Sequence, residues 1–169
     1  METSTDSTQP QNTLAIMHLL KIHASPEEVY QALTTSAGIR NWWTRDVAID
    51  STIGGQAEFG FYQHQFVIKM GIEELEPARR VVWKTLSGAP GWEGSTISFY
   101  LRPDGPDTVL SFAHRGFQTA DEGYAGANTR WGYYLVSLQE YLTAGNGTPN
   151  PEDMDFATPR FGVAVGAAS

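Results

Sequence analysis

From residue 57 to residue 117 the bulky apolar side chains fall on every second position, segment after segment. Beyond residue 121 the spacing becomes helical. Alternation marks a strand with one buried face, and recurrence at three and four marks a helix with one buried stripe. AEFGFY sets Ala57, Phe59 and Phe61 on one face, and QFVIKMGIEEL sets Phe66, Ile68, Met70 and Ile72 in phase. RVVWKTL does the same for Val81 and Trp83, and STISFYL for Ile97, Phe99 and Leu101. Turn chemistry separates them: Gly54-Gly55, Pro77 in EPARR, the loop LSGAPGWEGS, and RPDGPD. The last strand, TVLSFAHRGF, ends on two basic side chains. Leu110, Phe112 and His114 share one face, so His114 points inward and Arg115 outward. Trp131, Leu135, Leu138 and Leu142 then form a stripe on a helix over 121–143, with Gly145 as its stop. A lone helix of this kind buries its stripe on the sheet, and a twisted antiparallel sheet wraps around it.

Upstream, residues 14–23 read as a first strand. Ser25, Pro26 and Glu28 give a capping box for a short helix ending near Thr34. A second short helix starts at Ser36 and carries Ile39, Trp42 and Trp43, and VAID makes a short strand. The order is strand, two short helices, about six further antiparallel strands and one long helix, which is α+β. The 169 residues suggest one domain. We expect a disordered leader over 1–12, a folded body over 13–148 and a loosely held Pro/Gly/Ala-rich tail over 149–169.

Several chemistries drop out. With no cysteine there is no disulfide, thiolate metal site or thiol nucleophile. His18, His23, His64 and His114 lack metal-ligand spacing, so no metal and no cofactor is expected. Nineteen acids against eleven bases give a net charge of -8, and in sequence the densest basic group is only Arg79, Arg80 and Lys84. Such a chain repels nucleic acid. No apolar run approaches the ~20 residues of a membrane span, and a cytoplasmic location is expected.

Five Trp, eight Phe and seven Tyr have to line a core or a pocket. Core packing accounts for any one of them. Taken together, Trp42, Trp43, Phe59, Phe61, Trp83, Trp92, Phe112 and Trp131 leave gaps around a single helix and read as pocket lining, with Leu135 and Leu138 from the helix stripe. Trp92 stands in a Gly/Pro loop where no sheet face demands it, which suits a gate. His114 and the indole N–H groups of Trp83, Trp92 and Trp131 are the polar candidates. Glu58 should face outward, and Glu93 lies in a loop.

The stretches ASPEEVYQALTTSAGIRNWW, IGGQAEFGF, IEELEPARRVVWKT, the HRGF closing a strand, and TRWGYYLVSLQEYLTAG resemble, in order and spacing, the helix-grip fold of the SRPBCC superfamily. START domains, birch-pollen-type allergens and polyketide cyclases share that fold. The branch most similar is the C-terminal domain of the heat-shock-protein-90 ATPase activator. The resemblance covers residues 14 to about 149. It implies a cavity between the long helix and the concave sheet, where many members bind small hydrophobic molecules. The expected function is binding of such a ligand without catalysis. Alternatives are a cyclase- or dehydratase-like enzyme in which His114 moves a proton, and a chaperone-interacting module that uses its surface. A homodimer is compatible with all three.

Overall fold

Period-two segments joined by short turns pair with their sequence neighbours, and here they build one antiparallel sheet. The computed structural model describes residues 13–156. The strands are β1 (Leu14–Ile22), β2 (Asp46–Ile49), β3 (Gln56–Phe61), β4 (Phe66–Glu76), β5 (Arg80–Ser87), β6 (Thr96–Asp104) and β7 (Asp107–Phe117). Their order is β1-β7-β6-β5-β4-β3-β2. β2 to β7 run as a meander, and β1 closes the order by pairing with the last strand, Leu14 opposite Phe117 and Ile22 opposite Thr108. Register shifts in β4, between Lys69 and Met70 and between Ile72 and Glu74, bend the sheet toward its concave side. The fold is α+β and helix-grip, with seven strands, two short helices after β1 and one long C-terminal helix.

The short helices are α1 (Pro26–Thr34) and α2 (Ser36–Ile39). The capping box forms: Glu28 N–H donates to Ser25 Oγ (3.3 Å), and Ser25 N–H donates to Glu28 Oε2 (2.8 Å). Thr35 leaves the helical conformation, ends α1, and caps α2 through Gly38 N–H (3.0 Å). α2 is therefore a single turn. Trp42 and Trp43 stand in the turns after it rather than on the expected helix, and both are buried. The long helix α3 (Glu122–Ala144) starts on Asp121, whose Oδ1 accepts from Tyr124 N–H (2.9 Å), and ends on Gly145 at φ 73°.

α3 lies across the concave face and along β1. Tyr124 O–H donates to the Ala15 carbonyl (2.9 Å) and Gln139 Nε2 to the Lys21 carbonyl (2.6 Å), so side chains take two carbonyls of an edge strand. No helix among the described residues is long and apolar enough to cross a membrane.

The packed body extends past the boundary expected at 148. Asn150 is buried. Its N–H donates to the Trp43 carbonyl (2.9 Å), and its carbonyl accepts from Arg45 N–H (3.1 Å). Arg45 also pairs with Glu152 (2.6 Å). Residues 150–156 are thus a strap pinned to the body, not a loose tail. The leader over 1–12 and the rest of the expected tail lie outside the described residues.

Candidate functional site

Burial of a histidine requires both ring nitrogens to find partners. β7 carries His114 inward, between Ile16 on β1 and Ile97 on β6. It is fully buried. Its Nδ1 accepts from the indole N–H of Trp131 on α3 (3.1 Å), which leaves the proton on Nε2. Nε2–H donates to Ser95 Oγ (2.8 Å), and Ser95 O–H donates to the Trp92 carbonyl. One ring therefore ties α3, β7 and the β5–β6 loop together. Burial pushes its pKa down to about 3. At neutral pH it is uncharged with both nitrogens engaged, a structural tie rather than a carrier of protons.

Around this tie the rings close up. Trp43 is the hub, with Phe59 at 4.4 Å, Trp131 at 5.1 Å and Phe61 at 5.8 Å between ring centroids, and it stacks on Trp83 at 6.0 Å. Trp92 meets His114 edge-on at 4.6 Å and stacks on Trp131 at 6.2 Å. Phe112 packs on Trp131 at 4.6 Å. What remains between α3 and the sheet is a recess of about 30 Å3 lined by Trp43, Phe61, Phe66, Trp92, Ala127 and Trp131, among others. That is room for about one or two water molecules.

Above the recess lies an open groove of about 410 Å3 between the β3–β4 turn and the strap, and it shares Tyr62 and Arg130 with the recess. The Arg130 guanidinium lies 5.0 Å over the Phe156 ring, and its Nη1 donates to the Gly126 carbonyl (3.3 Å). Phe156 also meets Tyr133 at 5.0 Å. Tyr134 O–H donates to Asp153 Oδ2. Burial, then the nearby Asp153 carboxylate, holds the Tyr134 phenol well above its usual range, so it remains a donor. The turn itself is strained. Tyr62, Gln63 and His64 all adopt positive φ (54°, 59° and 66°), the left-handed region that side chains with a Cβ disfavour. Tyr62 N–H donates to Asn150 Oδ1 (3.1 Å), and His64 Nδ1 lies 2.6 Å from Asp46 Oδ2, so the strap and β2 hold the turn in place.

Of the residues expected in the pocket, Trp43, Phe61, Trp92 and Trp131 line the recess. Phe59, Trp83, Phe112, His114, Leu135 and Leu138 are buried outside its lining. The Trp131 indole N–H is engaged by His114, and Trp83 Nε1 is buried without a hydrogen-bond partner among the described residues. Glu58 faces outward and pairs with Lys69 (3.0 Å). Glu93 is exposed. Phe156 lines the groove beside Arg130, and Phe161 lies outside the described residues. The sequence reading missed Tyr62, Arg130, Tyr134 and Asn150. Arg130 and Tyr134 continue the α3 stripe at positions three and seven after Ala127, so a wider stripe would have included them. Asn150 carries little local signal: apart from Asp153, which accepts from its Nδ2 (3.1 Å), its partners Trp43, Arg45 and Tyr62 are distant in sequence.

The family described as Activator of Hsp90 ATPase homolog 1-like protein matches residues 23–143. Among solved structures, the Aha1 dimer from Colwellia psychrerythraea is 33% identical, with 79% of this chain and 99% of that chain covered and a TM-score of 0.73. The protein SSP2350 from Staphylococcus saprophyticus is 18% identical over 79% of this chain and 95% of that chain, TM-score 0.68. CalU16 from Micromonospora echinospora is 20% identical over 79% and 78%, TM-score 0.63. These last two show likeness of fold alone. No curated protein matches the chain.

Proposed function

The chain belongs to the family of Activator of Hsp90 ATPase homolog 1-like proteins, and from that premise we propose that it binds a small, mostly apolar molecule between α3 and the sheet. The observation that carries this reading is the aromatic recess under a polar groove, joined through Tyr62 and Arg130. Trp43, Phe61, Trp92 and Trp131 form the contact wall. Phe59, Trp83, Phe112, His114, Leu135 and Leu138 form a layer behind it that fixes those rings. The recess is nearly filled as it stands, so a ligand enters only as Tyr62 and Phe156 swing outward. Apolar burial at roughly 25 cal/mol per Å2 drives binding, and Arg130 and Tyr134 orient the polar end. A neutral His114 with both nitrogens engaged argues against the cyclase-like alternative.

The test is native mass spectrometry of protein purified from its own host, followed by denaturing extraction. A copurified apolar compound is expected with the natural chain and lost in Ala127→Leu, which fills the recess. No bound mass, together with no thermal shift across a panel of apolar compounds, would count against the reading.

A second reading, contact with a chaperone of the Hsp90 kind, is favoured by the matched family and by the 33% identical Aha1 relative. That relative is a dimer, and a homodimer is part of this reading. Sedimentation velocity checks the dimer, and stimulation of an Hsp90 ATPase by the purified chain checks the contact.

A further inference from the structure

Strand register gathers on the convex face of the sheet what the linear sequence disperses. Ala15, Arg115, Thr96 and Lys84 stand in one row across β1, β7, β6 and β5. The next row is Met17, Ala113, Ser98 and Val82, followed by Leu19, Ser111, Tyr100 and Arg80, and then Lys21, Val109 and Arg102. Apart from Val82 and Ala113, which are themselves buried, these positions alternate with the buried ones, and by strand alternation all of them face away from α3. The two middle rows are apolar or small apart from Arg80. Met17, Leu19 and Tyr100 there are 66%, 73% and 43% exposed. The flanking rows are cationic. Lys21 pairs with Asp104 (3.0 Å), and Arg80 with Glu74 (3.2 Å). Lys84, Arg102 and Arg115 form no ion pair among the described residues. Four of the eleven lysines and arginines therefore flank one apolar strip, and a fifth, Arg80, stands at its β5 end, on a protein whose net charge is -8.

We propose that this face docks a partner protein through a segment whose acidic side chains flank apolar ones. The acids meet Lys84, Arg102 and Arg115, and the apolar side chains cover Met17, Leu19 and Tyr100. Charge selects this occupant. A second copy docking through the same face would set cationic rows against cationic rows. Nucleic acid or an anionic membrane extends past the face and would meet the rest of a strongly negative molecule, whereas a short acidic segment meets only the cationic rows. Methionine, tyrosine and arginine are also the residues that protein interfaces favour. The partner lies on the face and does not add a strand beside β1, because Tyr124 and Gln139 already take two carbonyls of that edge. The surface lies on the opposite side of the sheet from the recess, so the inference does not depend on the ligand reading.

The experiment titrates the full chain, isotope-labelled, with a synthetic peptide of alternating Glu and Leu, and records amide chemical shifts. The same peptide with Lys for Glu and vesicles of phosphatidylglycerol are the controls. Shifts are expected at Met17, Leu19, Tyr100, Ser111 and Ala113, with the Glu peptide only, and weakening as salt is added. The Lys84→Glu/Arg102→Glu/Arg115→Glu chain should bind at least about tenfold more weakly. All three sites are exposed, and an unchanged Tm verifies the fold. Met17→Ser/Leu19→Ser should weaken binding as well, without touching charge. Three results overturn the proposal: no shift at these amides at millimolar peptide, an equal response to the Lys peptide, or binding to the vesicles alone. The last would make the face a membrane contact.

Discussion

At His114, burial decides a protonation state and the state decides a pH dependence. The folded pKa of about 3 lies below the ordinary 6.5, so between those values the unfolded chain binds the extra proton. Its contribution is complete above pH 6.5 and is lost as pH falls toward 3. The loss approaches about 1.4 kcal/mol per pH unit, or about 2 kcal/mol by pH 5. Urea midpoints at pH 7 and pH 5 should show this decline in the natural chain and a shallower one in His114→Asn, which keeps an acceptor for Trp131 and a donor for Ser95. Parallel declines would place the acid sensitivity elsewhere. Ser95→Ala removes the acceptor for Nε2–H. A buried donor left without a partner should cost about 1–3 kcal/mol at neutral pH, read from the same midpoints.

The ends of α3 test how elements are closed. Gly145 sits at φ 73° with nothing within 4 Å of where a Cβ would stand. Gly145→Ala therefore isolates backbone strain from sterics, and should lower stability by about 1 kcal/mol in thermal melts. Asn150→Ala removes the acceptor of Tyr62 N–H and the donor to Asp153. A loss of about 1–3 kcal/mol is expected, with faster hydrogen exchange across residues 62–64 and little change in β7. Equal acceleration in both would make the strap part of the global fold rather than a local clamp. The strands and α3 were legible because periods of two and of three-four report directly which face is buried. The strap was not, since Asn150 is held by residues 43–62, and Pro, Gly and Asn nearby look like any solvated tail. A cavity was expected from the number of rings and from the family resemblance. The volumes of those rings, which leave about 30 Å3, follow only from their packing. The cationic frame escaped notice in the same way, because register rather than sequence proximity brings Lys84 into one row with Arg115, with Thr96 between them.

For the whole molecule, net charge and His114 act in the same pH range. Nineteen acids against eleven bases keep copies apart at pH 7, and that repulsion fades as carboxylates protonate toward pH 4–5. Light scattering should therefore rise near pH 5, where the fold is also weakened, and His114→Asn should move the onset to lower pH. An identical onset in both chains would leave surface charge as the sole cause. The pairing of β1 with β7 has a consequence in time. Leu14 finds Phe117 roughly a hundred residues later. At about 5–20 residues per second, the ribosome delivers β1 roughly 5–20 s before the strand it pairs with. For that interval the first strand, with Ile16, Leu20 and Ile22 meant for the interior and Met17 and Leu19 apolar on its other side, leaves the exit tunnel with nothing to bind. The sheet closes only once translation has passed residue 117, so synonymous codons that slow synthesis between β1 and β7 lengthen the period in which holdases compete for the nascent chain.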